Sequence, residues 1–493
     1  MNTKSIRYIL GWILNIEALL MLLPVATAVF YREEEGIAYA LVVAVCAAVG
    51  ALLTYKKPKN PGFYAKEGFV CTALGWILMS VFGCLPFMLT DEIPSFIDAL
   101  FEMVSGFTTT GASVVVNVEA LSRCTNMWRC FSHWIGGMGI LVFLLAVLPL
   151  VGGSNMQLMK AESPGPSVGK LVPKVRFTAR ILYVLYVALT LLQVLVMLMG
   201  GMTLYEALCT SFGTAGTGGF GIYGDSIASF SPFLQWAVTV FMIAFGVNFN
   251  VYFLLYMRRP KDALHCEEMH WYLGIIAAAA LLICANAYDV TLTLENNLRQ
   301  SFFQVASIIT TTGFATTDFN LWPGFSRSIL LLLMFIGACA GSTGGGLKVS
   351  RIVIGFKSVL TYLGAFLHPR AVRKVKFEDK DVDAETMHAI CVYFIAAIGL
   401  FVISVLLVAL DGFDLVTTFS AVAATFNNIG PGLGAAGPTS NFAAFSDFSK
   451  VVMTMDMLLG RLEVFPMLML FYPPLWKESI GEARIRRNRT ALH

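Results

Sequence analysis

Four short stretches of this sequence place glycine at a fixed point among threonine and asparagine: Phe107–Gly111 (FTTTG), Ala215–Gly219 (AGTGG), Ile309–Gly313 (ITTTG) and Phe426–Gly430 (FNNIG). Glycine accepts backbone conformations with positive φ that other residues avoid. A loop with glycine at one position can therefore turn several peptide carbonyls to one side. Four such loops around one axis would stack rings of carbonyl oxygen, the chemistry that replaces the water shell of a potassium ion. No Asp or Glu stands in the four residues before Gly111, Gly219, Gly313 or Gly430. That argues against a divalent-cation filter built from carboxylates. The residues that would line a potassium filter are Thr109, Thr110 and Gly111; Thr217, Gly218 and Gly219; Thr311, Thr312 and Gly313; and Asn428, Ile429 and Gly430.

The segments before these loops align without gaps. Asp98, Glu206, Gln300 and Thr417 each stand thirteen positions ahead of the final glycine, which selects Gly219 over Gly218 in the second loop. Segments such as Pro94–Gly106 and Leu204–Gly213 fall short of the roughly 20 residues that span hydrocarbon and suit re-entrant helices. Their partly negative C-terminal ends would face the loops. A spanning run precedes each loop and another follows it. The unit is helix, pore helix, loop, helix, four times over, and two extra N-terminal helices bring the expected count to ten spans. The expected fold is an all-α integral membrane protein. Its parts are residues 1–66 (two N-terminal helices), 67–176, 177–265 and 266–380 (pore repeats 1 to 3), and 381–493 (repeat 4 and a basic tail).

Composition agrees. Of 493 residues 57% are hydrophobic and only 13% charged, against about a quarter charged in soluble domains. A net charge of +3 gives nucleic-acid binding no support, and ten scattered cysteines read as small hydrophobes. The N-terminal apolar run reaches about Phe30, long enough to span rather than end as a signal peptide. Basic residues fall in blocks: Lys56 to Lys66, Lys160 to Arg176, Arg258 to Lys261, Arg370 to Lys380 and Arg484 to Arg489. The acidic clusters at Glu33, Asp91, Asp289 and Asp411 alternate with them. By the positive-inside rule the N-terminus and the basic blocks are cytoplasmic.

Two features stand apart. Gly337–Lys348 (GACAGSTGGGLK) packs five glycines into ten residues, inside what should be the second helix of repeat 3. Each glycine disfavours a helix by roughly 1 kcal/mol relative to alanine, so this stretch is either a gate or a passive kink. Arg461 stands in the apolar run Val451–Phe471, where a central arginine is disfavoured by about 2.5–3.5 kcal/mol. On one continuous helix it points away from Asp456 and Glu463, and snorkelling to the interface is the bland alternative. Gly216–Gly221 and Gly432–Gly437 fit G-x-G-x-x-G without the βαβ unit that dinucleotide binding requires. Gly341–Lys348 is a Walker-like string with its lysine one residue late, so ATP hydrolysis is not expected here. A secondary transporter would show inverted repeats and coupling carboxylates. These repeats are parallel, and Glu102, the one candidate acid, reads better as a structural bond. His133 has no motif-level partner, so an enzyme is not expected.

Thr108–Ala112, His133–Gly139, Thr310–Phe314, Gly337–Lys348, Asn427–Gly434 and Gly460–Glu463 together resemble the membrane subunits of the Trk/Ktr/HKT potassium-uptake superfamily, most of all its TrkH branch. The resemblance implies a homodimer in the bacterial cytoplasmic membrane, in contact with its lipids. It also implies a cytosolic nucleotide-binding regulatory subunit of the RCK/TrkA-like kind. K+ would be the transported ion, with no organic cofactor on this chain. It places a gating loop at Gly337–Lys348, with Gly341, Gly344, Gly345, Gly346 and Lys348, and sets Arg461 in the pore against that loop. In the plant branch a serine at the first filter position goes with sodium transport; Gly111 stands there in this chain. The second loop, richer in glycine than the others, would be the looser quadrant. An ion-coupled (proton or sodium) potassium symporter, or a sodium-permeable cation transporter of the same fold, is the alternative.

Overall fold

The computed structural model describes residues 2–58, 65–139, 175–368 and 373–476. The expected basic residues Lys59, Lys160, Lys170, Lys174, Arg370 and the tail arginines lie outside them, as does any continuation of repeat 1 past Gly139. Among the described residues seven helices are long and apolar enough to cross a membrane: Thr3–Tyr31 (broken at Met21), Gly36–Thr54, Lys66–Leu89, Arg180–Met199, Glu267–Asn286, Val349–Leu367 and Ala384–Asp411. The chain is thus mostly helical. A two-residue hairpin, Lys376–Phe377 against Lys380–Asp381, is the strand content of these residues.

Four short helices lead into the glycine loops: Phe96–Phe107, Leu204–Gly216, Leu294–Ile309 and Leu415–Phe426. Each starts where sequence dictates, at a side-chain N-cap that accepts from the third residue on: Ser95, Thr203, Thr293 and Asp414. The third cap comes one helical turn early, so that helix is longer. Each then ends alike. The residue two before the final glycine turns left-handed, at φ 55° for Thr109, 55° for Thr217, 58° for Thr311 and 56° for Asn428. The next N–H reaches back five residues, from Thr110 to Ser105 (2.9 Å), Gly218 to Gly213 (2.9 Å), Thr312 to Ser307 (2.8 Å) and Ile429 to Ala424 (2.8 Å). This is a Schellman-type cap. The glycine follows at φ 80°, 80°, 83° and 99° for Gly111, Gly219, Gly313 and Gly430. Gly219, not Gly218, takes that place.

The helices after the loops depart from expectation. Continuous spans were anticipated, with a break only at Gly337–Lys348. Gly324–Ile336 does end at that break, but the helices after loops one, two and four also stop early, at Arg123–Gly137, Pro232–Gly246 and Asp447–Arg461. The second turns by 87° into Phe249–Tyr256, and the fourth resumes at Phe465–Leu470. The physical reason is close approach. A Cβ on Gly136 would fall on the Phe107 carbonyl and one on Gly460 on the Phe426 carbonyl, so the helix ends press against the short helices' C-termini. The continuous helix assumed for Val451–Phe471 is likewise corrected. It stops at Arg461, because Glu463 (φ 54°) and Val464 (φ 68°) are left-handed.

Candidate ion pathway and gate

The four loops meet in a closed ring. A Cβ built on each final glycine would strike the carbonyl just ahead of the next loop's glycine. Gly111 faces the carbonyl of Gly218, Gly219 that of Thr312, Gly313 that of Ile429, and Gly430 that of Thr110, at 2.7 Å. Only a hydrogen fits at these positions, and the chain order of the loops is their order around the ring. Asn428 adds a side-chain bond from the fourth loop to the first, donating to Thr110 Oγ1 at 3.0 Å and to the Met457 carbonyl at 2.9 Å. Thr108–Thr110, Thr217, Thr310–Thr312 and Asn428 are fully buried.

A buried ion pair braces the first two loops from behind. Glu102 meets Arg129 at 2.6 Å and accepts from Ser113 Oγ (2.9 Å) and Val114 N (2.9 Å), just past Gly111. The Arg129 guanidinium lies 4.3 Å over the Phe220 ring, next to Gly219. His133 faces the Gly106 carbonyl through Nδ1 at 2.7 Å, and its Nε2 accepts from Phe220 N at 3.1 Å. Glu102 and His133 thus each hold backbone beside the loops. Breaking a buried pair strands a charge and destabilises by about 3–5 kcal/mol. Arg129→Met is therefore expected to lower the melting temperature of the solubilised protein far more than Arg123→Met at the exposed rim. Equal melting temperatures would refute the brace.

Beneath the ring lies the Gly337–Lys348 segment, folded back on itself. Its neck closes through Leu347 N to the Phe335 carbonyl (3.3 Å) and Val349 N to the Ala338 carbonyl (3.1 Å). Gly337, Gly341, Gly346 and Lys348 all have positive φ, of 70° to 78°. Gly344 packs under the Thr310 carbonyl, and Gly345 under Asn427 while donating to Thr311 Oγ1 at 2.6 Å. Lys348 is buried, and its Nζ donates to the carbonyls of Gly344 and Gly345, the latter at 3.2 Å.

Arg461 bridges this segment to the ring. It donates to the Thr343 carbonyl at 2.9 Å, to Thr109 Oγ1 at 3.1 Å and to the carbonyls of Gly136 and Gly137, the latter at 3.1 Å. Snorkelling does not describe it. Glu463, beyond the helix end, pairs instead with Arg351 at 2.5 Å, and Asp456 accepts from Ser404 at 2.6 Å. The structure sets the anticipated loop residues in the ring, with Gly344, Gly345 and Arg461 against it, while Gly341 faces Asn248 and Gly346 faces Gly337. Outside the ring and the gate stand Glu268 and Asn248, hydrogen-bonded to each other at 3.3 Å, which sequence reading passed over as site residues. Two consecutive glutamates opening the apolar helix Glu267–Asn286 were the available signal.

A family model described as cation transport protein matches residues 36–282 and 290–478. The chain belongs to the TrkH family. It is 36% identical over 489 residues to the Trk system potassium uptake protein TrkH of Salmonella typhimurium, covering 97% of this chain and all of that one. Identity to the Trk system potassium uptake protein TrkG of Escherichia coli is 33%, with the same coverage. The crystal structure of the potassium transporter TrkH from Vibrio parahaemolyticus superposes with a TM-score of 0.87 at 33% identity, over 97% of this chain and all of that one. Membership in the TrkH family makes the chain a multi-pass membrane transport protein and not an enzyme.

Proposed function

We propose that this protein takes up potassium across the cytoplasmic membrane through a gated pore whose filter is the ring of four loops. The observation that carries the reading is the ring's closure, with four glycines of like φ each set against the next loop's carbonyl. A ring held this tightly has a defined bore, and its carbonyls can take over a potassium ion's hydration. The relatives' shared name, Trk system potassium uptake protein, supports the same cargo. K+ passes as substrate through this chain, and the membrane potential supplies roughly 2.3 kcal/mol per 100 mV for each charge moved inward.

In this reading the repeats form ten spans around the pore, with the N-terminus in the cytoplasm. Gly337–Lys348 and Arg461 are the gate, and the conformation described is closed. A homodimer and a cytosolic nucleotide-binding subunit complete the assembly. The word system in the relatives' names supports a multi-component complex, and the exposed Lys374 and Lys380 beside the hairpin offer a docking face. Reconstitution tests the core claim. Proteoliposomes holding the purified chain should take up rubidium when a negative interior potential is imposed, and sodium far more slowly. No flux in the wild type or in any gate variant, or equal flux of both ions, would overturn it. Currents that reverse at the potassium equilibrium potential would set a pore apart from a coupled symporter.

A further inference from the structure

Glu268, at the second position of the Glu267–Asn286 helix, is buried and has no place in the ring or the gate described above. Its Oε1 accepts from Ala340 N at 2.7 Å and from Ser350 N at 3.1 Å. Its Oε2 accepts from Asn248 Nδ2 at 3.3 Å. These three donors belong to three different pieces. Ala340 is on the first limb of the intramembrane loop, Ser350 in the first turn of the helix after it, and Asn248 at the 87° bend of the second repeat.

Each piece depends on the others. The Val349–Leu367 helix begins at Lys348, which has no side-chain capping bond, so a carboxylate on its first-turn N–H takes over the capping role and complements the helix dipole. The first limb is fastened to the bend by Cys339 N to the Gly246 carbonyl (3.1 Å) and Phe249 N to the Gly341 carbonyl (3.0 Å). Asn248 Oδ1 caps the next helix through Asn250 N at 3.0 Å. One carboxylate therefore ties both ends of the loop to a fixed span. The loop cannot swing out from under the ring while both N–H groups stay on Glu268.

We propose that Glu268 is a positioning residue that latches both ends of the intramembrane loop in its blocking conformation. This rests on the reading of that loop as the gate. Charge-assisted hydrogen bonds are about twice as strong as neutral ones, so Glu268→Gln keeps the shape and weakens the latch. Cys339, a buried free thiol on the loop, reports on its release.

The test uses the full chain in proteoliposomes, with rubidium uptake and N-ethylmaleimide alkylation mapped by peptide mass spectrometry. Glu268→Gln should raise flux about tenfold, the consequence of losing about 1.4 kcal/mol of closed-state preference. Cys339 should become alkylated while Cys71 and Cys209, buried elsewhere, stay protected, and the potassium-to-sodium ratio should hold. Asn248→Ala, which removes one donor, should shift both readouts less, in the same direction, and serves if Glu268→Gln fails to fold. Unchanged flux and a protected Cys339 alongside a raised flux in Arg461→Ala sinks the latch and spares the gate. Unchanged flux in all three variants sinks both. Alkylation of all three cysteines with lost flux shows a merely structural role and also overturns the proposal.

Discussion

Replacing Arg461 by alanine should raise rubidium flux through the reconstituted protein by roughly tenfold to a hundredfold. The guanidinium is a fixed positive charge immediately under the ring, bonded to Thr109 Oγ1 and to the loop at Thr343. At about 5 Å and an effective dielectric of about 20, it opposes a monovalent cation by about 3 kcal/mol. Its removal also cuts a side-chain tie between the loop and the first quadrant. Arg461→Lys separates the two effects, since it keeps the charge but cannot span four acceptors from one planar group. Lysine should leave flux well below that of alanine. Flux and regulation unchanged in a folded Arg461→Ala protein would end the gating role.

The second large effect is expected at Gly111. In Gly111→Ser the new Cβ falls on the Gly218 carbonyl, and the residue must hold a φ of 80° that L side chains rarely adopt. Strain of this kind amounts to about 1–3 kcal/mol. It is relieved by pushing that carbonyl out of the ring, which loosens the site for the smaller, more strongly hydrated sodium ion. The potassium-to-sodium permeability ratio should fall roughly tenfold, since 1.4 kcal/mol corresponds to that factor. The effect should be graded around the ring. Gly430, whose Cβ would meet the Thr110 carbonyl at 2.7 Å, has the most room and should tolerate serine best. Bi-ionic reversal potentials measure the ratio, and an unmoved value at Gly111 would remove that glycine from the filter.

The loop geometry was legible in the sequence because it is local. A helix capped by Ser95, Thr203 or Asp414 runs for a set number of residues. It ends in a left-handed residue, as a Schellman cap does, and two residues on comes the glycine, at a positive φ that glycine accepts readily. The constant offset to Gly111, Gly219, Gly313 and Gly430 therefore came from chain chemistry alone. The break at Gly337–Lys348 was visible for the same reason, its glycines being intrinsically poor in a helix.

The breaks at Gly137, Gly246 and Arg461 were not legible, since one glycine in an apolar run does not end a helix. The first and last arise only when the Phe107 and Phe426 carbonyls of distant short helices press on Gly136 and Gly460, and at Gly246 it is the Tyr272 hydroxyl and the Thr310 side chain that crowd the glycine. Arg461 shows the same limit. Helical spacing turned it away from Asp456 and Glu463, but spacing could not show that Glu463 lies past the helix end and turns to Arg351.

By itself, then, the sequence determined the membrane class, the long apolar helices ahead of the loops, the four like loops and the glycine of each. Hydropathy, capping and backbone sterics act within a few residues and leave their pattern in the chain. Only the tertiary structure decided that the loops close in chain order, that the intramembrane loop sits beneath them with Arg461, and that Glu268 holds both of its ends. Those are contacts between residues tens to hundreds of positions apart, chosen by packing and by buried hydrogen bonds that must find a partner.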